Sequence, residues 1–459
     1  MELDLIRKYN VQGPRYTSYP AVPHWKNNIS ESRWVDRVTT VFRASNKAHG
    51  ISVYIHLPYC ESLCTYCGCN TRITVNHAVE RPYILGVLAE WHAYIQLFGD
   101  ERPVIAELHL GGGTPTFFSP ENLQFLISEL LAPCDVAPQA EFGFEGHPNN
   151  TTFEHLRVLR NLGFTRLSLG IQDFDPQVQK AINRIQPVDM IERLVGDIRA
   201  RAFGSLNFDL IYGLPKQTLK SVEDTLREVI RLAPDRISYY NYAHLPERFA
   251  AQRAIHTEDL PPPGVKLEML TLVIRTLTDA GYLYLGMDHF VKMDDPLAIA
   301  QANGTLCRNF QGYSIHKAED LVGLGVSSIS NIHGMFVQNA AQLNTYYQAL
   351  DENRLPVVKG RESTQEDVLR RDIIQQLSCY RFLDIARIER EYGIDFEEHF
   401  NLLLPELEQL ERDGLLSLAT PGKLFVSAEG SLLLRNICMV FDEYLRQDTP
   451  SKPTFSRVI

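Results

Sequence analysis

Residues 60–69 read CESLCTYCGC. Four of the eight cysteines of the 459-residue chain stand in this run; the others, Cys134, Cys307, Cys379 and Cys438, are scattered. Cys60, Cys64 and Cys67 have the spacing C-x3-C-x2-C, and Cys69 follows in C-x-C. A structural zinc site usually draws two ligand pairs from separated elements and closes a tetrahedron. Here three thiols come from one short loop. Their softness favours an iron–sulfur cluster or zinc over hard cations. If Cys60, Cys64 and Cys67 hold a [4Fe–4S] cube, one iron lacks a protein ligand and stays open to a small molecule. The one-residue gap makes Cys69 an awkward fourth ligand of the same cube.

Outward from this loop, short β-rich runs alternate with helical patterns. ISVYIHL (51–57) precedes a helix-like stretch at 79–97, IAELHL (105–110) precedes PENLQFLISELL (120–131), and EFGFEG (141–146) precedes FEHLRVLRNLG (153–163). RLSLGIQ (166–172), SLNFDLIYG (205–213) and RISYYNY (236–242) continue the series, with a helix near 264–280 and a weaker strand at 282–286. Each crossover through a helix makes its two strands parallel. The expected fold is α/β, a partial (β/α)6 TIM-like barrel, with its site at the C-terminal ends of the strands. The expected divisions are an N-terminal arm or lid at 1–48, the barrel at 49–290, an extension at 291–360 and a C-terminal cap at 361–459. In that last part TQEDVLRRDIIQQLSCY, FEEHFNLLLPELEQLERDG and SLLLRNICMVFDEYL read as helices. LLSLATPGKLFVSAEG reads as a hairpin, which gives a mostly helical, winged-helix-like module.

Apolar residues make up 44% of the chain and charged residues 22%, an ordinary globular composition. The net charge of −11, with no Lys/Arg cluster, argues against a nucleic-acid partner. The first twenty residues carry no apolar signal core, and no run approaches the length of a membrane span. A cytoplasmic protein is expected, with reduced cysteines. No heptad run appears, so the expectation is a monomer.

Other polar residues collect at the strand ends. GGGTPT (111–116) follows the second strand, where glycines let backbone N–H groups approach a polar ligand. Glu145 ends the third strand and suits a ribose or an ammonium. Arg184 in NRIQ is by type a bidentate carboxylate partner. GIQDF (170–174) carries Gln172, DLIYGLP (209–215) carries Asp209, and NYAHLP (241–246) carries Ala243. In the arm, GPRYTSYP (13–20) holds Arg15, a carboxylate-binding residue by type, with Tyr16 and Tyr19.

The cysteine spacing, with Tyr66 before the third cysteine, resembles the radical S-adenosylmethionine (SAM) superfamily. GPRYTSYP, YIHLPYCESLCTYCGCN, GGGTPT, GIQDF, DLIYGLPKQT, NYAHLP, GMDHF, RNFQGYS and the terminal FSRVI resemble, in order, the oxygen-independent coproporphyrinogen III oxidase family. The resemblance implies a [4Fe–4S] cluster on Cys60, Cys64 and Cys67, whose open iron binds SAM and cleaves it to a 5′-deoxyadenosyl radical. It implies two SAM molecules per site. Tyr54, Gly112, Glu145 and Ile329 would contact the first; Tyr66, Gly113, Thr114, Gln172, Arg184, Asp209 and Ala243 would contact the second. Tyr54, Glu145 and Arg15 are the expected catalytic side chains. The implied reaction decarboxylates two propionates of coproporphyrinogen III to vinyl groups, giving protoporphyrinogen IX in haem biosynthesis, with electrons from a donor such as a flavodoxin or ferredoxin.

One departure stands out. After Glu145 the chain reads GHPNN, where His147 replaces the acidic residue usual in that family. That keeps open a relative using the same radical on haem or another tetrapyrrole, for methyl transfer or ring opening, or a haem-binding carrier.

Overall fold

The structure, a computed structural model, describes residues 3–27, 29–316, 320–447 and 455–458. Ile459, the last residue of the FSRVI segment, lies outside them. Six strands form the core of one sheet: β1 (Ile51–Leu57), β2 (Val104–Gly112), β3 (Asp135–Gly146), β4 (Arg166–Gln172), β5 (Ser205–Tyr212) and β6 (Arg236–Asn241). They lie side by side in chain order and all pair in parallel. The expected barrel strands are therefore present, each with a helix before the next strand; after β6, short 3-10 turns precede the helix Pro263–Asp279, close to the expected 264–280.

The sheet runs beyond the six. On one side β8 (His289–Lys292) and β7 (Tyr282–Gly286) add antiparallel strands next to β6. On the other, β9 (Leu321–Leu324) pairs in parallel with β1, a seventh parallel strand. The antiparallel strands β10 (Ile329–Ile332), β11 (Met335–Asn339) and β12 (Val357–Glu362) follow. Among the described residues the sheet has 13 strands and remains open at both edges.

Strand alternation sorts the two faces. Leu108, Leu110, Phe142, Phe144, Leu167, Leu169, Phe208 and Ile237 are buried in the apolar core. The alternate residues His109, Glu145, Arg166, Ser168, Asn207, Asp209 and Arg236 line a polar interior cavity of about 120 Å³. Period-two placement thus makes the concave face polar. Arg166 is ion-paired with Glu141, and Arg236 meets Asp295 at 2.7 Å with both side chains almost fully buried. Pairing offsets the cost of burying such charges.

A second buried carboxyl shows the cost of burial. Glu90 accepts from the Gly325 N–H (2.8 Å), the Tyr346 hydroxyl (2.7 Å) and the Asn339 amide (2.6 Å), yet burial raises its pKa to about 7. The folded state therefore binds this proton more tightly than the unfolded state. The stability it contributes is fully present below pH 4.5, its unfolded value, and is lost as pH rises to about 7. Relative to Glu90→Gln, the wild type should lose up to about 1.4 kcal/mol per pH unit across that window and none above it. Denaturant unfolding of both proteins between pH 5 and 8 checks this; a difference that does not change with pH contradicts it.

The N-terminal segment divides in two. Residues Glu31–His49 form a 19-residue helix whose Trp34, Val38 and Phe42 are buried in the core. This helix belongs to the packed body, so only the residues before it have the character of an arm. Within that arm Tyr16 donates to Asp442 at 3.0 Å, and the Tyr19 hydroxyl accepts from the Glu443 N–H at 3.2 Å. Both rings are buried, so these tyrosines fasten the arm to the C-terminal part.

That C-terminal part opens with the helix Gln365–Tyr380 and carries an antiparallel sheet of Phe382–Asp384, Lys423–Val426 and Leu416–Ser417. Two of its expected helices are broken. FEEHFNLLLPELEQLERDG forms Phe396–His399 and Leu404–Arg412, with Pro405 in the first turn of the second, where it has no N–H to give an earlier turn. SLLLRNICMVFDEYL breaks at Leu433, where the backbone leaves the helical region. No helix among the described residues is long and apolar enough to cross a membrane.

Candidate active site

The cysteine loop leaves β1 and is tied at once to the loop after β2. The Gly113 N–H donates to the Leu57 carbonyl (2.8 Å) and the Thr114 N–H to the Tyr59 carbonyl (3.0 Å), while the Gly112 N–H donates to Glu145 (3.3 Å). The expectation that these N–H groups are free for a ligand is therefore corrected: the protein itself uses them. What glycine supplies here is close approach. A Cβ on Gly113 would sit 2.7 Å from the Pro58 carbonyl, and one on Gly111 would sit 2.9 Å from Glu145. Gly112 has φ +118°, a backbone conformation that suits glycine.

Each of the three spaced cysteines has a hydrogen-bonding partner at its sulfur. Cys60 Sγ and Thr114 Oγ1 lie 3.2 Å apart, Arg184 donates to Cys64 Sγ at 3.5 Å, and the Cys69 N–H donates to Cys67 Sγ at 3.4 Å. Cys69 is exposed, and its backbone serves Cys67. Burial pushes the Cys60 thiol up to about 11, whereas the hydrogen bond with Cys69 draws Cys67 down to about 7. Among the described residues, no three His, Cys, Asp or Glu side chains converge on a single-ion site. The three sulfurs fit a cluster instead: they are soft donors, and donors aimed at sulfur stabilise its anionic form and tune a cluster's potential. Arg184 adds positive charge, since it spans from Cys64 to the Gly170 carbonyl (2.5 Å) and keeps a buried Nε without a partner.

Beside the loop, Tyr54, His56, His109, Glu145 and Ile329 line a cavity of about 360 Å³. Register explains the group: Tyr54 pairs with His109 across β1 and β2, and their rings stack at 6.1 Å. Glu145 lies 3.5 Å from His109 Nε2, with its carboxylate 46% exposed to the cavity mouth. Ile329 arrives from β10, which pairs with the seventh parallel strand, β9, itself paired with β1. Tyr54 and His56 share a hydrogen bond of 3.2 Å.

The other expected residues collect along the same strand ends. Gln172 is buried at φ 68°, and its amide and Arg184 crowd the open side of Gly170. Asp209 accepts from Ser168 (2.6 Å) and Asn207 (3.0 Å); burial, helped by the charge of Glu145, pushes it up to about 6. Gln252 bridges the carbonyls of Tyr66 (2.9 Å) and Ala243 (3.1 Å), which ties the cysteine loop to the end of β6. Arg15 donates to the Asn241 carbonyl at 2.7 Å with its guanidinium 5.6 Å from the Tyr240 ring. Sequence reasoning passed over His109, Ser168, Asn207 and Tyr240. The signal for them was present, as polar residues at every second position of β2, β4, β5 and β6.

His147 is turned to its own loop. Its Nδ1 accepts from the Asn149 N–H (3.2 Å), and its carbonyl accepts from the N–H groups of Asn150 and Thr151. Burial, with Arg184 nearby, lowers its pKa to about 3. An aspartate can accept the same i+2 N–H, as in an Asx turn. His147→Asp should therefore leave turnover within about threefold, since the cap it preserves is worth only about 1 kcal/mol. A larger loss, or a change in accepted substrate, measured by steady-state kinetics would contradict this placement.

Comparison with known proteins adds to the geometry. The model of the radical SAM superfamily matches residues 54–229, and that of the HemN C-terminal domain matches 363–433. The chain is 44% identical over 460 residues to the oxygen-independent coproporphyrinogen III oxidase of Pseudomonas aeruginosa, covering 100% of this chain and 98% of that protein. It is 42% identical over 458 residues to the protein of the same name from Escherichia coli K12, again covering 100% of this chain and 98% of the other. The solved coproporphyrinogen III oxidase (HemN) of Escherichia coli, described as a radical SAM enzyme, superposes with a TM-score of 0.90 at 40% identity, covering 96% of this chain and 99% of that one.

Proposed function

The chain belongs to the oxygen-independent coproporphyrinogen III oxidase family of radical SAM enzymes, and on that premise we propose that it converts two propionates of coproporphyrinogen III to vinyl groups, giving protoporphyrinogen IX for haem biosynthesis. The observation that carries the reading is the joining of the three-cysteine loop to the Gly111–Thr114 turn and Glu145 at one rim of the sheet.

Cys60, Cys64 and Cys67 would hold a [4Fe–4S] cluster, which with SAM would supply a 5′-deoxyadenosyl radical able to take hydrogen from an unactivated carbon. Tyr54, Gly112, Glu145 and Ile329 hold the SAM at the cluster. With its N–H groups engaged, the glycine turn offers carbonyl oxygens, which suit the methionyl ammonium; the Glu145 carboxylate adds charge. Tyr66, Gly113, Thr114, Gln172, Arg184, Asp209 and Ala243 form the seat of a second SAM, with Arg184 the carboxylate partner and Asp209 the acceptor for a ribose. Arg15 leads the arm across the mouth, and Tyr54 closes the wall beside Glu145, so that water is kept from the reacting carbon. Each propionate would give one hydrogen atom to the 5′-deoxyadenosyl group, release CO2 and pass one electron to an external one-electron acceptor. A flavodoxin- or ferredoxin-type donor, a monomeric state and a cytoplasmic location complete the proposal; a thiol-held cluster requires a reducing compartment.

The test is anaerobic incubation of reconstituted protein with SAM, dithionite and coproporphyrinogen III, followed by product mass analysis. Loss of two CO2 is expected. Methylated or ring-opened haem, in a parallel incubation with haem, or haem binding without SAM cleavage, would replace this reading with another.

A further inference from the structure

Many arginines in this protein have a carboxylate partner; Arg166 and Arg236, within the barrel, are examples. Three at the rim of β6 do not. Arg308 lies over the Tyr313 ring at 4.8 Å, and its Nε and Nη1 are buried without any hydrogen bond. Arg435 is 8% exposed; its Nη2 donates to the carbonyls of Arg457 (3.1 Å) and Val458 (2.5 Å), and its Nη1 is buried and unpartnered. Arg15 gives one hydrogen bond, to the Asn241 carbonyl. Among the described residues none of the three is ion-paired. The carboxylates acting on this region are Asp288, near Arg435, and Asp209, near Tyr240.

Arg308 and Arg15 lie on one aromatic wall, and Arg435 stands near enough to Arg15 to feel its charge. The His289 ring meets Tyr313 edge-on at 5.2 Å and Tyr240 at 5.7 Å, and Arg15 caps Tyr240. Tyr240, His289 and Tyr313 all line the interior cavity that also holds Glu145 and Asp209. The positive charge is felt there: burial, then Arg308 and Arg15, push His289 down to about 3. Buried guanidinium donors without partners are costly, and a bidentate carboxylate is the ligand whose geometry they match. Coproporphyrinogen III has four propionates. Two react beside the cluster loop, and two survive in the product.

We infer that Arg308, with Arg15 at the Tyr240–His289–Tyr313 wall and Arg435 near Arg15, binds a propionate that the reaction leaves intact and so fixes which propionates face Glu145. This rests on the function proposed above and assigns the far end of the same site. Arg308 is the residue to change, because Arg435 also anchors the chain's C-terminal segment and Arg15 the arm.

Two stable porphyrins test it by fluorescence titration of the full-length protein. Coproporphyrin III has all four propionates; deuteroporphyrin IX has only the two that survive. Arg308→Gln should weaken both by about ten- to hundredfold, the loss of one charge-assisted hydrogen-bonded pair. Arg308→Lys, which keeps the charge without the fork, should lose less, and it serves alone if circular dichroism shows that the glutamine variant is unfolded. Wild-type affinity for both porphyrins in the variants overturns the inference. So does weakening of coproporphyrin III alone, which would put Arg308 on a reacting propionate. A wild-type protein that binds neither porphyrin instead contradicts the proposed function, and the inference falls with it.

Discussion

Cys64→Ala protein purified without oxygen should contain no cluster and form no product, and Cys60→Ala and Cys67→Ala should do the same. Cys69→Ala should keep about four irons per chain. The contrast follows from the hydrogen bonds. Thr114, Arg184 and the Cys69 N–H each address one of three sulfurs, and the donor that Cys69 gives to Cys67 belongs to its backbone, which alanine retains. Thiolate ligation is the main attachment of such a cluster, so losing one ligand of three has no local substitute. Iron analysis with visible absorption of the four variants is the check. If Cys69→Ala loses iron as completely as Cys64→Ala, the ligand set is wrong.

Glu145→Ala should weaken SAM binding or cleavage about ten- to hundredfold. Losing a hydrogen bond to a charged partner costs about 1.5–3 kcal/mol, and about 1.4 kcal/mol is a factor of ten. Glu145 is held in place by the Gly112 N–H and His109, and its carboxylate is still partly open to the cavity. Glu145→Gln keeps the shape and the hydrogen-bond acceptor but not the charge, so it should fall between alanine and wild type. Equilibrium dialysis with labelled SAM and the rate of 5′-deoxyadenosine release separate binding from cleavage. Unchanged values in Glu145→Ala would remove the carboxylate from the site.

The parallel core was legible because each strand and its helix are local units with their own periodicity. RLSLGIQ and PENLQFLISELL occur as read, the latter capped by Ser119 with Pro120 in its first turn. Strand β9, LVGL, was not legible. It is four residues long, has no following helix, and owes its existence to pairing with β1 far back in the chain. Ile329 reaches the cavity only through that pairing. The cysteine loop announced its chemistry through spacing alone, whereas two of the partners of its sulfurs, Thr114 and Arg184, come from the segments after β2 and β4. His147 was ambiguous in sequence because Gly146 and Pro148 flank it. In the fold, the turn through Asn149 and Thr151 decides its direction. Arg15 was legible by type, but Arg308 and Arg435 had no signal: the three stand in separate parts of the chain, and only tertiary structure brings them near one another.

The account holds that hydrogen is taken from the propionate by the radical made at the cluster loop. Coproporphyrinogen III deuterated at the β-carbons of its propionates, incubated anaerobically with the protein, SAM and reductant, tests this most directly. The 5′-deoxyadenosine recovered should gain one deuterium for each vinyl group formed, with CO2 released in equal amount. Vinyl product accompanied by unlabelled 5′-deoxyadenosine, or SAM cleavage that leaves every propionate intact, would contradict it.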